Sequence, residues 1–229
     1  MSNTILFKQL SSITLIGANI IPLIGALLFG WNAILILALF WIENLIIGFF
    51  NILKLLTIAA YRKQPKALFL TAFFIFHYGM FCSVHGTLLW DILGLEKLDP
   101  ALYFNIEWVG VTELFAEGAT VLFAFIDKFK PEIWFGIGSL AISHLFNFVE
   151  NFVLRGEVFE TEAKDLMAKP YAQIFILHGG LILGAAAIEK FGSPIWLLMV
   201  IIGFKIAVEI LMHQRKLKKQ KRREKLKAL

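Results

Sequence analysis

The sequence predicts an all-α, polytopic helical membrane protein with six transmembrane helices and one extra outer interfacial or re-entrant helix. The first observation is composition: 59% of the 229 residues are hydrophobic and 17% are charged, whereas soluble domains average about 45–50% and about 25%. The second is a mean hydropathy of +0.75. The third is the recurrence of apolar runs near the roughly 20 residues that a helix needs to cross a bilayer. Together they exclude an ordinary soluble enzyme, a disordered chain and a disulfide scaffold.

Six apolar runs are predicted to span the membrane. They cover residues 11–29, 33–58, 67–90, 132–154, 170–190 and 194–212. The first is long for a signal peptide and no A-x-A-like cleavage site follows it, so we expect a retained helix. Four prolines lie at or beside predicted helix starts, where proline is tolerated. They are Pro65, Pro131, Pro170 and Pro194.

A further apolar run, 108–126, is long enough to span but carries Glu113 and Glu117 one turn apart on one face. The positive-inside rule decides between six and seven spans. Six spans with both termini cytoplasmic place sixteen Lys and Arg inside and four outside, whereas seven spans give thirteen against seven. We therefore predict that residues 91–131 lie outside and that 108–126 caps the bundle as an interfacial or re-entrant amphipathic helix.

The basic charge is concentrated in the tail, residues 213–229. The net charge is +5, and nine of the 22 Lys and Arg lie in this tail beside one acid, Glu224. A basic run directly after an apolar span is typical of contact with anionic inner-leaflet headgroups, and nucleic acid is not the expected partner. The predicted organisation is a transmembrane domain over 1–212 and a cytoplasmic tail over 213–229, with membrane lipids as partners and the oligomeric state left open.

Polar and ionisable side chains occur near the middle of four predicted spans. An acid at the centre of a span costs at least about 2.5 kcal/mol, so such residues usually face the protein interior and have partners. At about 1.5 Å per residue, Glu43, His77, His144 and His178 come out near one plane of the bilayer. Three imidazoles and one carboxylate at one depth predict a site for zinc or another divalent metal, with the three histidines as ligands.

Two residues of the third span fall outside this predicted site. His85 lies about 12 Å along the helix from His77, too far to share one ion, and we expect it in an outer layer near Glu113 or Glu117. Cys82 is the single cysteine, so no intrachain disulfide or thiolate metal cluster can form.

Four strings resemble the motifs of a bacterial integral-membrane family catalogued as domain of unknown function 6498. They are WIENLIIGFFNILKLL, FHYGMFCSVHG, SHLFNFVENF followed by RGE, and PYAQIFILHGGLILG. The resemblance covers nearly the whole chain and implies a multi-pass protein of the bacterial inner membrane, without implying an activity. It highlights Glu43, Asn44, Asn51, His77, His85, His144, Asn147, Glu157 and His178.

Four classes of function stay open. In a metal-dependent intramembrane hydrolase acting on a lipid or lipid-linked substrate, zinc would activate water. Glu43 or Glu150 would be the general base, and Asn44 or Asn147 would stabilise an oxyanion. The alternatives are a transporter or metal-ion carrier, an electron carrier with haem b between two histidines, and a structural protein whose polar groups satisfy one another. The chain contains no G-x-S-x-G, H-E-x-x-H or P-loop string that selects an enzyme class.

Overall fold

The computed structural model describes residues 24–99, 103–104 and 109–208 of the chain. This part is helical and contains no β-strand, which confirms the all-α prediction. The helices are α1 (Ala33–Tyr61), α2 (Pro65–Ile92), α3 (Val111–Lys128), α4 (Glu132–Asn147), α5 (Glu157–Glu160), α6 (Ala163–Ala168) and α7 (Tyr171–Phe191). A π-helical segment, Phe148–Leu154, continues α4. A shorter apolar helix, α8, covers Pro194–Val208.

Four segments of the described chain are long and apolar enough to cross a membrane. They are Ala33–Tyr61, Pro65–Ile92, Glu132–Leu154 and Ala163–Phe191. These segments correspond to the second to fifth predicted spans, and their apolar character supports a membrane-embedded protein. Most of the first predicted span, residues 11–23, the end of the last, 209–212, and the tail over 213–229 lie outside the described residues. Six spans therefore stay a prediction.

The chain divides into two compact units. The larger contains residues 34–178, and the other contains residues 1–33 and 179–229. Within the second unit, α7 and α8 pack closely at two glycines. A Cβ added at Gly180 would lie 2.7 Å from Cγ1 of Ile201, and one added at Gly184 would lie 2.0 Å from Cδ1 of Leu197. Glycine at these positions allows the two helices to approach.

In the larger unit, α1 and α2 are held together by buried aromatic side chains. The indole of Trp41 donates a 2.8 Å hydrogen bond to the carbonyl of Cys82. The hydroxyl of Tyr78 donates a 3.0 Å bond to the carbonyl of Asn44. Gly86 leaves room for the Trp41 ring. These bonds satisfy polar groups that hydrocarbon surroundings would leave without partners.

Helix α3 packs along α2 and runs in the same direction. Phe115 contacts Gly79, Gly118 contacts Ser83, and the rings of Phe125 and Trp90 lie 4.9 Å apart. The helix is therefore present close to the predicted 108–126, although it begins at Val111. It is not among the segments apolar and long enough to span, and its placement relative to the bilayer stays a prediction.

Candidate functional site

A polar cavity of about 350 Å³ lies between α1, α4 and the start of α7. Its walls combine apolar side chains with amide, hydroxyl, imidazole and ammonium groups. The lining residues are Ile47, Phe50, Asn51, Lys54, Ser143, His144, Asn147, Leu166, Lys169, Pro170 and Gln173. Three of them, Asn51, His144 and Asn147, are among the residues that the family resemblance highlights. Polar groups from separate helices thus share one space that can hold a small molecule.

Two lysines give the cavity a positive character. Lys54 on α1 and Lys169 before α7 are close enough to repel each other electrostatically, and Glu157 is the carboxylate that acts on Lys54. Neither lysine forms an ion pair within the described part of the chain. Lys54 instead lies 5.5 Å from the ring centroid of Phe152, a cation–π contact. An anion in the cavity would relieve the repulsion between the two ammonium groups.

The amide of Asn51 is a buried polar group of this cavity that has no hydrogen-bond partner among the described residues. Asn51 is 6% exposed, and its Nδ2 has no hydrogen-bond partner among the described residues. Leaving a buried N–H unpaired costs about 1–3 kcal/mol. Its position in the cavity wall makes it available to an acceptor atom of a bound molecule.

The wall formed by α4 ends where the helix changes its winding. From Phe148 the turns widen into the π-helical segment, and the amide of Arg155 donates to the carbonyl of Glu150 at 2.9 Å, an i to i+5 bond. Segments of this kind are rare and frequently accompany functional sites. Asn147, the last residue of α4, therefore lines the cavity at the point where the winding changes.

His144 is the predicted metal ligand that lines this cavity. Its ring stacks on Phe50, with centroids 6.0 Å apart. Glu43 lies near enough to act electrostatically on both His144 and Tyr78. The structure thus places two of the four predicted midplane residues near each other, on α1 and α4.

The other two predicted ligands have different partners. Nδ1 of His77 lies 2.7 Å from the hydroxyl of Tyr171. Nδ1 of His178 lies 3.0 Å from Nε2 of His85, whose own Nδ1 lies 2.6 Å from the carbonyl of Phe81. His85 therefore belongs to a histidine pair.

The structure does not bring His77, His144 and His178 together as one metal site. Among the described residues, no group of three or more His, Cys, Asp and Glu side chains is arranged to hold a metal ion. The reason is the rotation of each helix about its own axis, which the prediction did not include. Depth along a helix follows from residue number, but the direction of a side chain depends on how that helix is turned against its neighbours.

The remaining predicted site residues have mainly structural contacts. Glu150, in the π-helical segment, forms an ion pair with Arg155, the residue that follows the segment. Asn44 donates from Nδ2 to the carbonyl of Phe40 at 2.8 Å, and its buried Oδ1 has no described partner. Asn147 alone of this group lines the cavity.

The site residues predicted from the sequence do not include Lys54, Lys169, Gln173 and Tyr171. Lys54 had a usable signal, since an ionisable residue inside an apolar span is a functional candidate by default. Lys169 is one of the sixteen Lys and Arg that six spans place on the cytoplasmic side. Its approach to Lys54 depends on how α1 and α7 pack, so no local pattern could reveal it.

A second cavity, of about 250 Å³, has walls from α2, α3 and the segment after α2. Two carboxylates, Asp91 and Glu117, share it with the ammonium group of Lys97. Both signs of charge are present, and its buried hydroxyl, Thr120, donates to the carbonyl of Ala116. The first cavity is lined by cations without carboxylates and contains an unpartnered buried amide. The described lining of this second cavity has neither feature.

The sequence matches the model of a family of unknown function, DUF6498, over residues 1–227. The chain therefore belongs to the DUF6498 family. No curated protein and no solved structure matches it.

Proposed function

We propose that this DUF6498 protein is an integral membrane protein that binds a small anionic ligand in the cavity between α1, α4 and α7. The observation that carries the proposal is the buried amide of Asn51, unpartnered among the described residues, beside the ammonium groups of Lys54 and Lys169. A negatively charged acceptor would accept a hydrogen bond from the amide and pair with both cations. Bonds of this charge-assisted kind are roughly twice as strong as neutral ones.

A binding or carrier protein fits these groups better than the metal-dependent hydrolase. The hydrolase hypothesis depended on three converging histidines, and two of them hydrogen-bond elsewhere, His77 to Tyr171 and His178 to His85. Its second general-base candidate, Glu150, is paired with Arg155. The cavity presents cations and amides instead, which recognise an anion without any chemical step.

The proposal places the cavity on the cytoplasmic half of an inner-membrane protein. Lys54 lies seven positions before Tyr61, where α1 ends, and Lys169 lies at the start of the returning helix. The Lys and Arg distribution assigns this end to the cytoplasm, with both chain termini on the same side. A ligand would then enter from the cytoplasm or from the inner leaflet.

Binding of inorganic phosphate to the full-length protein in detergent micelles tests the proposal. We expect calorimetric binding by the wild type and a loss of about tenfold or more for Lys54→Gln or Lys169→Gln, because a hydrogen bond to a charged group is worth about 1.5–3 kcal/mol. Asn51→Leu should weaken binding in the same direction.

Lys66→Gln is the matched control, because Lys66 is an exposed lysine at the same end of the bundle and does not line the cavity. It should bind phosphate as the wild type does. The proposal is wrong if the wild type binds no phosphate, or if Lys66→Gln weakens binding as much as Lys54→Gln does.

A further inference from the structure

The polar wall that α4 gives to the cavity lies within an exposed apolar helix surface. Large exposed side chains alternate with Ser143, His144 and Asn147 along the helix. They are Ile142 (69% exposed), Leu145 (50%), Phe146 (66%) and Val149 (42%). Only 6% of the apolar window of Glu132–Leu154 is buried, against 33% to 44% for the other three candidate spans. This span thus presents hydrocarbon-compatible surface directly beside a cationic cavity.

The two lysines lie at depths that suit a lipid headgroup. Lys169 lies between α6 and α7, directly before Pro170, near the start of the candidate span Ala163–Phe191. Lys54 lies seven residues from the end of α1, about 10 Å deeper at about 1.5 Å per residue. A lysine at that depth can extend its ammonium group toward the interface along its flexible stem.

We propose that the anionic ligand is the phosphate group of a membrane lipid whose acyl chain lies along the exposed face of α4. This inference rests on the function proposed above. A phosphate offers several acceptor oxygens and more charge than a carboxylate, which suits two ammonium groups and an amide. Lysine is a common phosphate ligand, acting as a point charge. A soluble anion would use the cations but would leave Phe146 and Val149 without a role in binding.

Photo-crosslinking in nanodiscs tests this proposal with the full-length protein. The discs contain phosphatidylcholine and a phosphatidic acid carrying a diazirine on its acyl chain, and labelled peptides are mapped by mass spectrometry. We expect label on the α4 peptide with Phe146 and Val149. A photoreactive phosphatidylcholine measures ordinary lipid contact at the same positions.

Variants separate headgroup recognition from general lipid contact. Lys54→Gln combined with Lys169→Gln should lower phosphatidic-acid labelling of α4 about tenfold, without changing phosphatidylcholine labelling. Lys66→Gln should change neither. Phe146→Ala should lower phosphatidic-acid labelling while leaving the affinity for inorganic phosphate in micelles unchanged, which also shows that the variant is folded.

The outcomes distinguish the two proposals. Phosphate binding in micelles together with equal labelling by both lipids would overturn the lipid inference and leave the anion site intact. An α4 surface that cross-links to a second copy of the chain, or to another segment of this chain, would also overturn it. If the wild type binds no phosphate in micelles, the proposed function itself fails.

Discussion

Nε2 of His85 and Nδ1 of His178 lie 3.0 Å apart and join α2 to α7 by a direct hydrogen bond. The other ring nitrogen of His85, Nδ1, lies 2.6 Å from the carbonyl oxygen of Phe81. A carbonyl only accepts, so Nδ1 of His85 is the donor there, and in the neutral ring Nε2 is then an acceptor. Nδ1 of His178 must then donate, which assigns one neutral tautomer to each ring.

The histidine pair predicts a specific NMR result and a specific loss of stability. In ¹⁵N-histidine spectra at neutral pH, His85 should carry its proton on Nδ1. His178→Ala should lower the free energy of unfolding by about 1–3 kcal/mol, because it leaves the buried acceptor of His85 unpaired. Denaturant titration of Ser139→Ala, at an exposed position on α4, supplies the control. A proton on Nε2 of His85, or an imidazolium there, would contradict the assignment.

The contact between α2 and α3 predicts opposite effects for two glycine substitutions. A Cβ at Gly118 would lie 2.4 Å from Oγ and 2.8 Å from Cα of Ser83, whereas one at Gly138 meets nothing within 4 Å. Gly118→Ala should therefore destabilise the protein by about 1–3 kcal/mol. Gly138→Ala should be neutral or stabilising by up to about 1 kcal/mol, since alanine favours helix. Equal thermal shifts for the two variants would show that the contact contributes little.

The direction of α3 predicts a re-entrant rather than an interfacial helix. Phe115 lies beside Gly79 and Phe125 beside Trp90, so the start of α3 is level with the middle of α2, and its end is level with the last turn of α2. In a Cys82→Ala background, Val111→Cys should resist an impermeant thiol reagent because lipid surrounds it, although it is 50% exposed in the protein. Lys128→Cys should react readily from outside. Equal reaction of both cysteines would indicate an interfacial helix instead.

The ionised carboxylate of Asp127, at the end of α3, is expected to add a small, pH-dependent term to the free energy of unfolding. Lys130 donates to its Oδ1 at 2.6 Å and Tyr103 to its Oδ2 at 3.1 Å, and these bonds lower the pKa of the carboxyl in the folded state. A lowered folded-state pKa gives stability that is present above the unfolded value of about 3.9 and is lost as pH falls through the folded value. Asp127→Asn should therefore flatten the acid limb of melting temperature against pH below about pH 4. Glu132→Gln, at a neighbouring exposed acid, should leave that limb in place.

The membrane-embedded helices could be predicted because their cause is local. Partition of a helix into hydrocarbon depends on a run of consecutive apolar residues, and that run is visible without knowing what packs against it. The predicted starts at 33, 67 and 132 lie within two residues of the helix starts at Ala33, Pro65 and Glu132. The fifth span begins earlier than predicted, at Ala163, because the short helix α6 precedes Pro170.

The candidate site could be predicted only in part. An unusual residue within an apolar span marks a functional candidate by its cost. Asn51, His144 and Asn147 are residues of this kind, and all three line the same cavity. The same rule, applied to Lys54, would have added this lysine to the predicted site residues. It could not show that the amide of Asn51 lacks a partner, because that depends on every neighbouring side chain.

The class of the protein, apolar, helical, membrane-embedded and carrying polar residues within its spans, follows from the order of its residues. Which of those polar residues meet follows from the packing of the helices. Residue number gives depth along a helix through the rise per residue, but contact also requires the rotation of each helix and the spacing between helices. Because of this rotation and spacing, His178 contacts His85 and His77 contacts Tyr171. The same packing also places Lys54 and Lys169, distant in sequence, in the wall of one cavity.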